Sequence, residues 1–233
     1  MPMELGVPFS MDQCLSSANQ VARMHGVPYI QAIGSVLWPV VVSRPDAVYA
    51  VGVMSQFMQN PGPAHWEGLK RIINYLGSMK DLWLTFRGCK ETMIECFCDV
   101  DSWSSKKQGV VLLSSTEAEY IAQTHAAKEG IWLRSFIKEI QGEEKPLTIS
   151  CDNQGAITLV KDNKFHARMK HIDLQYHFIC EAVEDGKIEV KYVPTDDNMS
   201  DIFTKPLPRP KFAKFMESLG LRTLDDTQTK PRC

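Results

Sequence analysis

The stretch LTISCDNQGAITLV, from Leu147 to Val160, decides the fold of this chain. Its first half alternates apolar and polar side chains, which predicts a strand with apolar positions Leu147, Ile149 and Cys151. Its second half predicts a helix with apolar positions Ala156, Ile157 and Val160. Asp152 lies between the two elements, and strand ends and helix starts in an α/β sheet gather along one edge, where ligands usually bind. The stretch therefore predicts a strand–helix unit with a carboxylate at a ligand-binding edge.

Composition and charge narrow the classes of protein to which the chain can belong. With 44% apolar and 23% charged residues, the chain of 233 residues is typical of a globular protein. A net charge of −2 gives no general attraction to nucleic acid or membrane, so any nucleic-acid surface must be local. The seven cysteines are not spaced as in zinc-binding motifs, so we expect them to be ordinary reduced thiols. We expect a cytoplasmic or nuclear protein without a signal peptide or a membrane span.

Residues 30 to 78 predict a small helical unit. The run YIQAIGSVLWPVVVS is apolar and helix-like, but Pro39 lacks a backbone donor and is expected to break or kink it. Pro45 suits the first turn of a second helix. The segment WEGLKRIINYL carries an apolar stripe that Gly77 ends, which predicts a third helix.

The pattern changes from about residue 82, where strands begin to alternate with helices. LWLTF, MIECFCD and KIEVKYV have the composition of strands. The clearest helix is SSTEAEYIAQTHAAKEGIWLRSFIKEIQG, which begins with a capping box and is followed at its end by Gly142. Its predicted apolar face consists of Ala118, Ile121, Ala122, Ala126, Trp132, Leu133, Phe136 and Ile140. This alternation predicts an α/β fold from about residue 82 to residue 205.

Acidic residues occupy comparable places in four of these elements: Asp99, Glu119, Asp152 and Asp201. Two follow strands and two lie in the first turns of helices, so an α/β arrangement brings them to one edge. Carboxylates packed together raise one another's pKa and repel, and divalent cations such as Mg²⁺ relieve this repulsion. Two such ions can stabilise the attacking and leaving oxygens of a phosphodiester. Taken singly, each acid is also explained as a favourable charge at a helix N-terminus.

Several words of the sequence resemble one known family: SWSSKKQ, LSSTEAEYIA, KEGIWLR, CDNQGAI, FHARMKHIDLQYHFI and VPTDDNMSDIFTKPLP. Together they resemble the ribonuclease H domain of copia-type retrotransposon Pol polyproteins. The preceding segment, from Gly34 to Leu84, is similar to the connection between reverse transcriptase and that domain. The resemblance implies a reverse-transcriptase C-terminal or connection segment at 1–81, a ribonuclease H-like domain at 82–208, and a C-terminal helix and tail at 209–233.

The resemblance also implies an activity, which is hydrolysis of the RNA strand of an RNA–DNA hybrid by two Mg²⁺ or Mn²⁺ ions. By motif, Asp99, Glu119, Asp152 and Asp201 match the family's metal-binding catalytic residues. Asp99 and Asp152 are expected to bridge both ions, while Glu119 and Asp201 hold one ion each. The nucleophile implied is a metal-bound water. The rest of the Pol polyprotein, including the reverse transcriptase, is the implied protein partner, and no membrane is implied.

Basic and polar residues near these acids are candidates for nucleic-acid contacts: Lys106, Lys107, Asn153, Lys161, Lys164, His166, Arg168, Lys170 and His171. Asn153 and Ser115 are candidates for reading the 2′-hydroxyl that distinguishes RNA from DNA. For each lysine, an ordinary solvated basic face is the alternative. The spacing of His166, His171 and His177 does not favour a zinc site.

One stretch departs from the family pattern. Family members run from the first aspartate through a Gly-rich turn, a second strand and most of a third before SWSSKKQ, whereas Asp101 here is followed directly by that word. Asp99 and Glu119 are 20 residues apart, which is too few for three strands and their turns. We therefore expect a ribonuclease H-like mixed sheet, with flanking helices, that has lost about one strand. Two functions stay open: an active ribonuclease H, and a catalytically dead remnant or nucleic-acid-binding module.

Overall fold

The computed structural model describes residues 1–6, 8–86, 94–99, 115–142, 145–161 and 173–223. Within it, the chain divides into two compact units. The first consists of Met1–Gly88 with Lys205–Cys233, and the second is Cys89–Thr204. The stretch in which we expect the missing strand lies outside the described residues, so that expectation stays a prediction.

The first unit is built mainly from helices, as the sequence predicts. They are α1 (Ala18–Met24), α2 (Tyr29–Ser43), α3 (Val48–Ser55), α4 (Pro63–Ser78) and, near the C-terminus, α9 (Arg209–Ser218). Short 3₁₀ turns occupy Met11–Gln13 and Pro45–Ala47. Ser17 begins α1 with a capping box, because its side chain accepts from the Gln20 amide while the Gln20 side chain accepts from the Ser17 amide.

Pro39 was expected to break or kink the first helix of the 30–78 unit; the break does not occur, because α2 continues through Pro39 to Ser43. Proline removes one backbone hydrogen bond, but the buried side chains of Ile33, Val36 and Val40 pack on both sides of that position. Burial of an apolar side chain is worth about 1.5–3 kcal/mol, so these contacts together offset the missing bond. The helix is therefore held by its tertiary contacts.

A buried ion pair lies between the helices of the first unit. The Arg44 guanidinium donates from Nε and Nη2 to the two carboxylate oxygens of Asp46, at 2.9 and 2.8 Å. The Tyr75 hydroxyl also donates to Asp46, and the guanidinium carbon lies 5.3 Å from the centre of the Tyr75 ring. Arg44 donates further to the Met79 carbonyl at 3.1 Å. All the polar atoms that this pair buries are therefore engaged, as a buried pair requires.

We predict that Asp46→Asn lowers the free energy of unfolding by about 3–5 kcal/mol, because it leaves the Arg44 guanidinium charged and buried without its counter-charge. Asp81→Asn is the matched control, since Asp81 is exposed in the same unit, and it should change the value by no more than about 0.5 kcal/mol. Thermal unfolding of the full chain measures both variants. Equal stability of the two would contradict the assignment of Arg44 and Asp46 as a stabilising pair.

The strand LWLTF belongs to the first unit. The family resemblance instead implied that it lies in the ribonuclease H-like domain at 82–208. It forms β1 (Leu82–Leu84), which pairs antiparallel with β5 (Leu221–Thr223). Gly220 begins this pairing in a left-handed conformation with φ of +84°, and a Cβ there would lie 2.6 Å from the Thr85 carbonyl oxygen. The position therefore requires glycine. The two strands are about 140 residues apart in the sequence. Their pairing depends on tertiary structure, and the local sequence pattern does not predict it.

The second unit is an α/β layer, which confirms the predicted fold class at that level. Its described elements are β2 (Glu95–Phe97), α5 (Ser115–Gln141), β3 (Leu147–Cys151), α6 (Gln154–Lys161), α7 (Asp173–Glu184), β4 (Ile188–Tyr192) and α8 (Asp201–Thr204). The strands are parallel in the order β2-β3-β4, with Cys96 opposite Ile149 and Ile149 opposite Val190. The ribonuclease H-like assignment is finer than this layer and stays a prediction.

Helix α5 packs closely on the middle strand. A Cβ at Gly130 would lie 2.2 Å from a methyl group of Leu147, so a larger residue there would require the Leu147 side chain to shift. The contact belongs to a core that contains Tyr120, Ile149, Ile179 and Val190, all of them buried. The contact at Gly130, near the middle of α5, and the buried Tyr120 hold the helix against the sheet, and with it the position of its first turn.

In the second half of α5, four residues of the predicted apolar face are exposed, whereas Ile131 and Ile137 are partly buried. The relative exposure is 65% for Trp132, 47% for Phe136 and 67% for Ile140, and the first two rings stack at 5.8 Å. The helix has 27 residues and is about 40 Å long, whereas a strand of five residues spans about 17 Å. The described sheet therefore covers only part of the helix, although the apolar period runs along its whole length.

No single helix in the described part of the chain is long and apolar enough to cross a membrane. The helices α1 and α2 pass the same test of length and composition only when they are taken together, and they are bent by 53°.

Candidate active site

The ends of two neighbouring parallel strands form the base of the candidate site. Cys98 and Asp99 directly follow β2, and Cys151 and Asp152 end and follow β3. Phe97 lies opposite Ser150, so the continued register places Asp99 beside Asp152 at the carboxyl edge of the sheet. The Cys98 amide donates to the Ser150 carbonyl at 3.1 Å, which holds the two strand ends together. The sheet edge predicted from LTISCDNQ therefore carries carboxylates from two strands.

Glu119 reaches the same edge from the beginning of α5. It lies just over one turn from the start of the helix and is 6% exposed. The Cys151 thiol lies 3.8 Å from its Oε2 and donates to it. One carboxylate oxygen of Glu119, one of Asp152 and the Cys151 Sγ all lie within 4.8 Å of one another. This spacing fits a single cation bound between α5 and β3.

Electrostatics show that Glu119 is crowded by negative groups. Burial, with smaller contributions from Cys151, Asp99 and Asp152, raises the pKa of the Glu119 carboxyl to about 8. The Asp99 charge is therefore close enough to act on Glu119, although the Asp99 oxygens are not within the group of ligand atoms. A cation between these acids would reverse the shift, since a nearby positive charge favours the ionised carboxylate.

The segment that carries Asp201 is tied to the end of β2. The Thr204 hydroxyl donates to Oδ2 of Asp99 at 2.7 Å. The Asn198 side-chain amide donates to the Cys98 carbonyl at 3.0 Å, and its oxygen accepts from the Ser200 hydroxyl at 2.6 Å. Asp201, the first residue of α8, is fully buried within this arrangement. Thr204, the last residue of α8, therefore fixes the orientation of the Asp99 carboxylate, while Asn198 in the preceding turn contacts the end of β2.

The predicted site residues are thus brought together to different degrees. One carboxylate oxygen of Glu119 and one of Asp152 lie within 4.8 Å of each other. The charge of Asp99 acts on Glu119, and the Asp99 carboxylate accepts a hydrogen bond from Thr204. Asp201 begins α8, three residues before Thr204, and is outside the group of ligand atoms. Which of the four acts in catalysis stays a prediction.

The described candidates for nucleic-acid contact are Asn153 and Lys161. Asn153 begins α6, and its side-chain oxygen accepts from the Ala156 amide at 3.1 Å, so this oxygen acts as a helix cap. Lys161 is exposed at the end of α6. The remaining candidates lie outside the described residues: Lys106, Lys107, Lys164, His166, Arg168, Lys170 and His171. The backbone of Ser115 begins α5, but its side chain is not among those described.

Four residues at the site escaped the sequence reasoning: Gln123, Cys151, Asn198 and Thr204. Two of them carry a signal in their spacing, since Gln123 follows Glu119 by four residues and Thr204 follows Asp201 by three, which puts each pair on one helix face. Cys151 was interpreted as an apolar strand residue, although it is directly next to Asp152. Asn198 has no such signal, because its role depends on contact with a strand end 100 residues away.

The donor set suits a divalent cation. Carboxylate oxygens are the ligands that Mg²⁺ and Mn²⁺ prefer, and Glu119 and Asp152 present two of them at ligand spacing. Burial, together with the nearby negative groups, raises the pKa of Glu119, and a cation at this place would favour its ionised form. A divalent ion therefore fits between Glu119 and Asp152.

We predict that the metal-free chain loses stability as pH rises from 4.5 to 8, because the folded state holds a proton on Glu119 that the unfolded chain has released over this range. Glu119→Gln should remove this loss, which is on the order of a few kcal/mol. Thermal unfolding against pH, with a chelator present, measures the difference between the two proteins. Glu129→Gln, an exposed acid on the same helix, should keep the pH dependence of the wild type. The same dependence in Glu119→Gln as in the wild type would contradict this account.

Comparison with known proteins gives several long matches. The chain is 37% identical over 245 residues to the retrovirus-related Pol polyprotein from transposon TNT 1-94 of Nicotiana tabacum, and the match covers 95% of this chain and 18% of that protein. It is 36% identical over 203 residues to the retrovirus-related Pol polyprotein from transposon RE2 of Arabidopsis thaliana, covering 77% of this chain and 14% of that protein. The chain therefore spans less than a fifth of the length of either relative.

A further match has a different name. Secreted RxLR effector protein 161 of Plasmopara viticola is 37% identical over 142 residues, which is its entire length and 51% of this chain. No family model matches the chain, and no solved structure matches it either.

Proposed function

The chain belongs to the family of copia-type retrotransposon Pol polyproteins, and from this premise we propose that its second unit hydrolyses the RNA strand of RNA–DNA hybrids. The observation that supports the proposal most directly is the approach of Glu119 to Asp152 at the carboxyl edge of a parallel sheet. Acids from distant parts of the sequence meet there, next to a third acid, Asp99. Folding such a group without a counter-charge is unfavourable, and a metal-dependent site gives a physical reason for it.

Glu119 and Asp152 would hold one divalent ion, and Asp99, fixed by Thr204, is the residue best placed to share a second ion with Asp152. Bound ions of this kind activate a water molecule and stabilise the charge that develops on the phosphodiester. Asp201 is proposed as the remaining acid, because the turn that carries it contacts the end of β2 through Asn198 and Thr204.

The residues of the chain have separate tasks in this proposal. Burial keeps the Glu119 carboxyl protonated until a cation replaces the proton, so the empty site avoids a buried charge. Thr204 holds Asp99 in one orientation, which matters because an error of about 1 Å in a reacting group can lower a rate a hundredfold. Lys161 is proposed to contact a phosphate of the substrate, since it is exposed at the end of α6.

We predict that the full chain cleaves a labelled RNA–DNA hybrid with Mg²⁺ or Mn²⁺ and leaves a DNA duplex of the same sequence intact. Asp152→Asn should lower the rate by at least about a hundredfold, because it removes a ligand charge from the metal site. Thr204→Val should lower it by about tenfold, through loss of the orienting hydrogen bond. Gel analysis of the cleavage products under single-turnover conditions measures these rates.

The control is Asp196→Asn, because Asp196 is an exposed acid of the same unit outside the group of ligand atoms. It should cleave at the rate of the wild type. Equal rates for Asp152→Asn and Asp196→Asn, or no cleavage by the wild type, would contradict the proposal. Hybrid binding without cleavage would instead support the alternative of a nucleic-acid-binding module.

The first unit offers a surface for the proposed protein partner, which is another section of a Pol polyprotein. Helix α2 exposes Leu37, Trp38 and Val41 at 45%, 72% and 58% of their surfaces. Their spacing places them on one face, and exposed apolar patches of this kind mark interaction sites. In the relatives, the matched section is a small fraction of a much longer chain, so other sections are present to cover this face.

We predict that the double variant Trp38→Glu and Val41→Glu weakens binding of this chain to the section that precedes the match in the transposon relatives, by at least about tenfold, because it places charge in an apolar contact. Co-purification of the two segments measures the binding. Trp132→Glu, which changes an exposed tryptophan of the other unit, is the control and should bind as the wild type. Unchanged binding by the α2 variant would contradict the assignment of this face.

A further inference from the structure

The acidic site contains a thiol, that of Cys151, which has no role in the proposed reaction. Cys151 is fully buried, and its Sγ lies 3.8 Å from Oε2 of Glu119. It shares the group of ligand atoms with Glu119 and Asp152, in which all distances are within 4.8 Å. Sulfur is a poor ligand for Mg²⁺ and a good one for thiophilic divalent cations such as Zn²⁺. The thiol therefore gives this site an affinity for thiophilic cations that the two carboxylates alone would lack.

The separation of the Cys151 sulfur from the Glu119 oxygen is close to that of two ligands in a tetrahedral site. Zinc binds thiolate sulfur at about 2.3 Å and carboxylate oxygen at about 2.1 Å, which places the two ligand atoms about 3.6 Å apart in a tetrahedron. The observed separation of 3.8 Å between Cys151 Sγ and Glu119 Oε2 is close to this value. Asp152 supplies the third ligand and is partly exposed, so an ion can enter from its side and keep water in the fourth position.

Gln123 gives a second, independent indication of a ligand at this place. Its side chain is fully buried one turn after Glu119, and neither its oxygen nor its nitrogen has a hydrogen-bond partner of acceptable geometry among the described residues. The amide lies next to the thiol, and hydrogen bonding from Cys98, with smaller contributions from the Asn153 backbone and from Gln123, lowers the pKa of Cys151. A buried amide without a well-formed partner is unfavourable, and a thiolate and a metal-bound water would each supply one.

We propose that Glu119, Cys151 and Asp152 form a site for a thiophilic divalent cation such as Zn²⁺ or Cd²⁺, and that this ion displaces Mg²⁺ and inhibits cleavage. The inhibitory part rests on the proposed function, whereas the binding part does not. On binding, the Cys151 thiol releases its proton to solvent as the metal–sulfur bond forms, and the Glu119 carboxyl does the same. Gln123 is a positioning residue, which donates to the bound sulfur.

Cd²⁺ titration of the reduced, metal-free full chain tests the binding part, because thiolate–cadmium bonds absorb in the near ultraviolet. We expect the wild type to bind one more ion than Cys151→Ser, and the affinity of this site to fall at least about a hundredfold in that variant. Cys180→Ser is the matched control, since Cys180 is a buried thiol of the same unit that donates to the Val160 carbonyl at 3.6 Å and lies outside the group of ligand atoms. This variant should give the same cadmium absorbance as the wild type. Loss of the signal in Cys180→Ser, or its retention in Cys151→Ser, would overturn the site.

Two further measurements keep the test independent of any folding defect in Cys151→Ser. NMR of the cadmium nucleus in the wild type should report a single sulfur ligand, and a shift typical of two sulfurs or of none would overturn the proposal. Gln123→Leu should weaken Cd²⁺ binding about tenfold through loss of the contact to the ligand sulfur. Binding equal to that of the wild type would exclude the positioning role.

Inhibition is measured separately. Cd²⁺ or Zn²⁺ added at a fixed Mg²⁺ concentration should abolish hybrid cleavage by the wild type. The cleavage rate of each variant is compared with the rate of the same variant in the absence of Cd²⁺ and Zn²⁺. Cys151→Ser should need at least about a hundredfold more Cd²⁺ for the same inhibition. Equal sensitivity would overturn the inhibitory part. If the chain binds Cd²⁺ as described but cleaves no hybrid, the proposed function fails while the metal site stands.

Discussion

The buried carboxyl group of Glu119 is the constraint on which the second unit depends. It is held at the end of β3 because α5 packs closely on the sheet, with Gly130 against the buried side chain of Leu147. A carboxyl group in such a place either keeps its proton or needs a cation. Under the proposed function, the unit would therefore have two states, one with this carboxyl protonated and one with a cation bound, and the other site residues would serve the exchange between them.

The turn before α8 shows how the chain limits the freedom of this site. The Asn198 side chain donates to the Cys98 carbonyl at the end of β2 and accepts from the Ser200 hydroxyl just before α8. Thr204, at the end of α8, donates a hydrogen bond to Asp99. These contacts put an acid from the middle of the chain and one from near its end at the same place. Orientation of this kind has to be built before a metal arrives, since a loosely held carboxylate binds an ion with less defined geometry.

Local pattern predicted the elements and part of the site. The strand at Leu147–Cys151 and the helix after it follow from alternation and helical spacing, and the helical unit of residues 30–78 was also predicted. Tertiary packing explains the misses. Pro39 stays within a helix because its neighbours are buried, and Trp132, Phe136 and Ile140 are exposed because α5 is longer than the sheet beneath it. The apolar period of a sequence records which residues share a face, and it does not record what covers that face.

The central claim is that Glu119 exchanges a proton for a divalent cation. Calorimetric titration of the full chain with Mn²⁺ in two buffers of different ionisation enthalpy tests this most directly, because it counts the protons released for each bound ion. At about pH 7, a carboxyl with a pKa of about 8 should release close to one proton on binding, and Glu119→Gln should release none from this position. Mn²⁺ binding without proton release, or the same release from Glu119→Gln, would contradict the account.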